Sequence, residues 1–118
     1  MRFISFYMTA LFCLGCVAGG GGAYHTAPES IYVNKKTNLK LRLSRGSNKN
    51  VNCHYKLTGM NSYVSIKMQR IDQSESFETY ECNLPAFNEE GFVEYYFDFT
   101  NHGSYNKIFE TKVKITSS

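Results

Sequence analysis

The sequence predicts an all-β protein, a sandwich of two sheets made from about seven short strands. Three observations carry this. From about residue 28 onward, apolar and polar residues alternate with period two, as they do in half-buried strands. Turn residues break the alternation roughly every eight to twelve positions. The composition suits strands: nine tyrosines and nine phenylalanines stand against two prolines. No segment carries a convincing helical period.

The elements follow in order. Ser30–Val33 is a short entry strand. Leu39, Leu41 and Leu43 share one face of the second, with Lys40 and Arg42 on the other, and Arg45-Gly46-Ser47-Asn48 turns the chain. Val51, Cys53, Tyr55 and Leu57 alternate in the third, until Thr58-Gly59-Met60-Asn61 breaks it. Val64, Ile66 and Met68 make the fourth, and a polar loop covers Asp72–Glu75. Tyr80, Cys82 and Leu84 make the fifth, which stops at Pro85. Val93, Tyr95, Phe97 and Phe99 make the sixth and most hydrophobic. Asn101-His102-Gly103-Ser104 turns it, and Phe109, Thr111, Val113 and Ile115 return as the seventh.

The net charge of +3 conceals a segregation. Ile31 to Ile71 holds nine Lys or Arg and no acid, whereas Asp72 to Glu110 holds nine acids and, among bases, only Lys107. A basic patch for nucleic acid or anionic lipid is one reading. The other, which we favour, is that basic strands lie beside acidic ones in one domain, since opposite charges across a ladder each stabilise by a few tenths of a kcal/mol. No nucleic-acid partner is expected.

Residues 1–18 read as a signal segment. Arg2 is a lone positive charge, and the apolar stretch Phe3–Gly15 is shorter than the ~20 residues a membrane-spanning helix needs. Cys13-Leu14-Gly15-Cys16, at the end of that stretch, resembles the lipobox of bacterial lipoproteins, which implies lipidation of Cys16. Cleavage after Ala18 with release of a soluble protein, and an uncleaved anchor, are the alternatives. Residues 19–27, with Gly19–Gly22, read as a flexible tether, and residues 28–118 as the folded domain. Ten asparagines without one Asn-x-Ser/Thr sequon fit a bacterial source. Such a chain belongs to the cell envelope or is secreted.

Val93-Glu94-Tyr95-Tyr96-Phe97-Asp98-Phe99-Thr100-Asn101-His102-Gly103 resembles the penultimate strand and final hairpin of immunoglobulin-like and fibronectin type III-like sandwiches of bacterial surface and secreted proteins. Cys82-Asn83-Leu84-Pro85 resembles the exit of a preceding strand, and Cys53-His54-Tyr55-Lys56-Leu57-Thr58-Gly59 a central one. The resemblance implies an immunoglobulin-like fold and no particular activity. True immunoglobulin domains space their bridging cysteines further apart and pack a tryptophan on them. Here 28 residues intervene and there is no tryptophan. Cys53 is therefore assigned to the third strand and Cys82 to the fifth, in opposite sheets. On that layout the second strand neighbours the fifth and the third neighbours the sixth. In an exported chain the two cysteines are expected to form a disulfide.

No catalytic constellation stands out in the sequence. Cys13 and Cys16 have C-x-x-C spacing but sit in an apolar signal segment. Glu94 and Asp98, about 13 Å apart along one strand, are too distant for paired-carboxylate glycoside hydrolysis. His54, Asp98 and Ser65 can approach on neighbouring strands, but no nucleophile-bearing turn accompanies them. Neither a metal nor a cofactor is expected, and the protein reads as a non-enzyme.

The expected function is a binding or structural module with a protein partner in the envelope; a carbohydrate-binding module and a small secreted enzyme inhibitor are the alternatives. Membrane contact is expected only through the N-terminal lipid. Alternation sends His54, Lys56, Tyr63, Phe92, Glu94 and Tyr96 to one outward face, which is the candidate binding surface.

Overall fold

Alternating runs become paired strands wherever two of them can bury apolar rows together, and the described residues do so with nine strands. The computed structural model describes residues 22–117. In chain order the strands are β1 (Ala23–Tyr24), β2 (Ile31–Tyr32), β3 (Thr37–Ser44), β4 (Asn48–Leu57), β5 (Val64–Lys67), β6 (Gln69–Gln73), β7 (Phe77–Leu84), β8 (Gly91–Asn101) and β9 (Ser104–Thr116). They form two sheets, ordered β1-β3-β7-β6 and β2-β9-β8-β4-β5. Every pairing is antiparallel except that of β2 with β9. The described residues contain no helix. This is an all-β sandwich of two sheets, and the stretch read as a signal segment, with Cys16, lies outside the described residues.

The expected inward rows form the core. Leu39, Leu41 and Leu43 of β3 and Val93, Tyr95 and Phe97 of β8 are buried almost completely, together with Cys53, Leu84 and Ile115. Val64 departs from the pattern: it stands on the edge strand β5 and remains exposed.

The strand neighbours are those expected from the charges. Lys40 of β3 lies opposite Glu81 of β7, and Lys56 of β4 opposite Glu94 of β8. Neither pair closes to an ion pair among the described residues, so what the register provides is proximity of opposite charge.

The disulfide expectation requires correction. Cys53 and Cys82 sit in opposite sheets, as assigned, and both are buried. They are 4.0 Å apart and not bonded. A disulfide needs sulfurs about 2.05 Å apart, so the pair here is two thiols packed in contact across the core.

Two strands were not expected. All five residues of β6 are exposed, so no alternation marks it, and it overlaps the start of the expected Asp72–Glu75 loop. β1 has only two residues and falls in the stretch expected to be a tether. There Ala23 and Tyr24 pair with Leu43 and Arg42 of β3.

His25 follows β1 and packs, half-buried, against the core. Its ring meets Phe97 edge-on at 4.7 Å and Tyr95 at 5.5 Å. Nδ1 lies 2.7 Å from the Lys40 carbonyl and Nε2 lies 2.6 Å from the Tyr95 hydroxyl. A carbonyl only accepts, so Nδ1 carries the proton and Nε2 accepts from the tyrosine. Burial pushes the imidazole pKa down to about 4, against a smaller upward contribution from the Lys40 carbonyl.

Glu78 is a second buried polar group that periodicity does not reveal. It occupies the inward row of β7 beyond Tyr80, whose hydroxyl donates to Oε1 at 2.7 Å. Asn48 Nδ2 donates to the same oxygen, and Arg70 stands 3.7 Å from Oε2. Burial and the Glu78 carboxylate push the Tyr80 hydroxyl up to about 12.

Two bulges set which residues reach the outer faces. Register shifts between Lys49 and Asn52 on β4, where Asn50 takes a φ of 55°. It shifts again opposite Tyr95–Phe97 of β8, where Phe109 of β9 takes a φ of 58°. A left-handed conformation is unusual for a bulky residue, and here the ring is held partly buried against the core. The extra residue reverses parity along β9: Lys112 and Glu110 face outward on one side of it, Lys107 and Tyr105 on the other.

Candidate functional site

Among the described residues no layer covers the outer face of the β9-β8-β4-β5 sheet, and the expected binding residues sit there. Register places His54 of β4 between Ser65 of β5 and Tyr96 of β8. In the next rank Lys56 lies opposite Glu94, which lies opposite Lys112 of β9.

The side chains interlock around Tyr96. His54 stacks on it with centroids 4.8 Å apart and planes 19° apart, and Tyr63 meets it edge-on at 5.0 Å. Lys107 Nζ lies 4.4 Å from the Tyr96 centroid, and Lys56 Nζ lies 5.0 Å from that of Tyr63. These cation–π contacts hold two lysines over aromatic rings while their charges stay in water. Tyr96 is pushed above the usual tyrosine range, first by burial and then by the Asp98 carboxylate.

Beneath His54 lies Asp98, an outward residue that is nevertheless buried. Its Oδ2 lies 2.8 Å from His54 Nε2 and accepts from the Tyr105 hydroxyl at 2.8 Å. Tyr105 is 64% exposed, yet its hydroxyl is pushed up to about 12, chiefly by that hydrogen bond. Ser65 Oγ lies 2.7 Å from His54 Nδ1.

Ser65, His54 and Asp98 therefore fall in a line, the composition of a hydrolytic triad. The alignment is not one that activates a nucleophile. His54 Nε2 and Asp98 Oδ1 are both buried without a hydrogen-bond partner, so the 2.8 Å approach is a close contact and not an aligned hydrogen bond. Asp98 Oδ2 is already engaged by Tyr105, and Ser65 lies on an extended strand. The line positions the imidazole under Tyr96. No three His, Cys, Asp or Glu side chains converge as a metal site among the described residues.

The six expected residues do not form one cluster. His54, Tyr63 and Tyr96 touch, with Lys56 over Tyr63. Glu94 belongs to a neighbouring shallow concavity of about 180 Å³, shared with Tyr63, Glu110, Thr111 and Lys112. Phe92 stands at the rim, 41% exposed, with Lys112 Nζ 4.9 Å from its ring centroid. Sequence reasoning missed Tyr105 and Lys107. Both reach the face only because of the Phe109 bulge, which no composition or period marks.

No protein-family model matches the chain, nor does any curated protein. Among solved structures it is similar to a cyclomaltodextrinase, with a TM-score of 0.59 and 16% identity over 73% of this chain. It is also similar to a cycloalternan-forming enzyme from Listeria monocytogenes, in complex with a pentasaccharide substrate, with a TM-score of 0.66 and 11% identity over 80% of this chain. The matches span only 15% and 10% of those enzymes, so each likeness is to a small part and shows the fold alone. Murine CRIg aligns over 83% of this chain and 99% of its own length, at a TM-score of 0.43 and 6% identity.

Proposed function

We propose that the domain is a non-catalytic binding module, exported and displayed at the cell envelope through Cys16 or released, that docks a protein partner on the outer face of β9-β8-β4-β5. The observation that carries this is the pinned aromatic cluster. Tyr96 is held by His54, Tyr63 and Lys107 at once, so it loses little side-chain freedom on docking. Aromatic anchors rimmed by paired charges are the usual centre of an interface. Lys56, Lys107, Lys112, Glu94 and Glu110 supply that rim.

A carbohydrate ligand is the second reading, supported by the polar concavity beside Tyr63 and Glu94. It ranks lower because His54 and Lys107 already occupy positions over the Tyr96 ring where a sugar would stack.

The test compares the wild type with a Tyr63→Ala/Tyr96→Ala variant as immobilised bait in envelope extract, with a glycan array in parallel. A protein retained at least tenfold better by the wild type supports the reading. Equal retention removes this face from consideration, and array signal lost in the variant selects the glycan.

A further inference from the structure

The opposite sheet carries a groove that the proposed function does not use. It has a volume of about 560 Å³ and runs along the outer face of β3 and β7, walled by the β1 segment. Tyr24 and Thr26 form the wall; Asn38, Lys40 and Arg42 of β3 and Thr79 of β7 form the floor. His25 also borders it, but both its nitrogens are committed to Lys40 and Tyr95.

Arg42 is the distinctive member. Its guanidinium carbon lies 4.6 Å from the centroid of Phe77 and 5.3 Å from that of Tyr24. Those rings meet edge to face at 5.6 Å, so Arg42 rests on a rigid aromatic corner. Opposite it across the ladder is Thr79, not an acid. Among the described residues Arg42 has neither an ion pair nor a hydrogen bond from its side chain. A guanidinium fixed by aromatic packing, with its planar donors unspent, is prearranged for a bidentate oxyanion.

The other lining narrows the ligand. Lys40 and Arg42 are the only permanently charged groups in the groove, and Lys40 forms no ion pair with its cross-strand neighbour Glu81. Glu81 instead accepts from Asn38 Nδ2 at 3.1 Å. Two cations and no acid among the lining residues favour an anionic ligand. Thr26 and Thr79 supply hydroxyls, Asn38 supplies only its Oδ1 as an acceptor because its Nδ2 donates to Glu81, the Cys82 carbonyl and Asn83, and no aliphatic side chain lines the floor, which suits a hydroxyl-rich molecule and not an acyl chain or an apolar peptide. The groove is also longer than one inorganic oxyanion needs.

We infer that this groove binds an acidic sugar, a uronate unit whose carboxylate pairs with Arg42 and Lys40 while its hydroxyls meet Thr26, Thr79 and Asn38. The site is separate from the Tyr96 face, so each can fail alone.

The test is a titration of the ¹⁵N-labelled full chain with trigalacturonate, maltotriose and inorganic phosphate at low salt. Trigalacturonate should shift the Arg42 Nε–H signal and the amides of Thr26 and Thr79, leaving His54 and Tyr96 unmoved. Arg42→Lys, which keeps the charge but loses the planar fork, should weaken binding at least tenfold with its spectrum otherwise intact. Should that variant not fold, the shift map of the wild type decides alone. Equal response to maltotriose, a phosphate response as strong as that to trigalacturonate, shifts elsewhere, or none at all would overturn the assignment.

Discussion

Lowering the pH from 7 to 4.5 should destabilise this domain through His25. Its pKa falls from an unfolded value near 6.5 to about 4 in the fold, because protonation would place a charge among Tyr95, Phe97 and Phe109. The neutral imidazole is the form the fold binds. Its contribution is complete above about pH 6.5 and is lost as pH falls toward 4, where the folded state takes up the proton too. At ~1.36 kcal/mol per pKa unit, the full loss is about 3 kcal/mol. For a domain with 5–10 kcal/mol in hand that lowers Tm by more than ~10 °C. The assay is urea denaturation of the wild type and His25→Phe at pH 7, 6, 5 and 4.5. His25→Phe should be less stable at pH 7, since Lys40 O and the Tyr95 hydroxyl lose their partner, but should show a flatter pH profile. Parallel profiles for the two proteins, or an NMR titration of His25 with a midpoint near 6.5, would refute the reasoning.

Other consequences can be measured directly. Cys53 and Cys82 should each take up an alkylating reagent in denaturant and neither in the native state; a mass two hydrogens lower for the peptide pair without reductant would contradict the unbonded pair. Glu78→Ala should cost about 2–4 kcal/mol, because Tyr80, Asn48 and Arg70 lose a shared buried acceptor. A cost below ~1 kcal/mol would show that Glu78 is dispensable. Despite its exposure, Tyr105 should ionise near pH 12, and Asp98→Asn should return it toward 10 in a spectrophotometric titration. No change would mean the Tyr105–Asp98 hydrogen bond is not formed in solution.

The candidate face was legible where alternation alone decides orientation. His54, Lys56, Glu94 and Tyr96 lie outward because two long central strands, β4 and β8, keep their parity through this region. The apolar rows of β3 and β8 were equally plain, and the sandwich layout that puts β3 beside β7 and β4 beside β8, with which the charge segregation agrees, is the one observed. The turn at Asn101–Ser104 was readable because His102 and Gly103 both need positive φ, values of 50° and 80° here.

Tertiary structure alone decided the rest. Single-residue bulges at Asn50 and Phe109 carry no signature, since the strain of a left-handed phenylalanine is offset by packing partners distant in sequence. So Tyr105 and Lys107 joined the face, and Asp98 was buried under His54, through contacts between strands. His25 looked like part of a tether because two residues of strand have no period to detect; its place among Tyr95, Phe97 and Lys40 depends on residues 15 to 72 positions away. Local sequence determines which way a strand's side chains point. Which polar groups end up without water depends on what the opposite sheet, the edge and the first residues of the domain place over them.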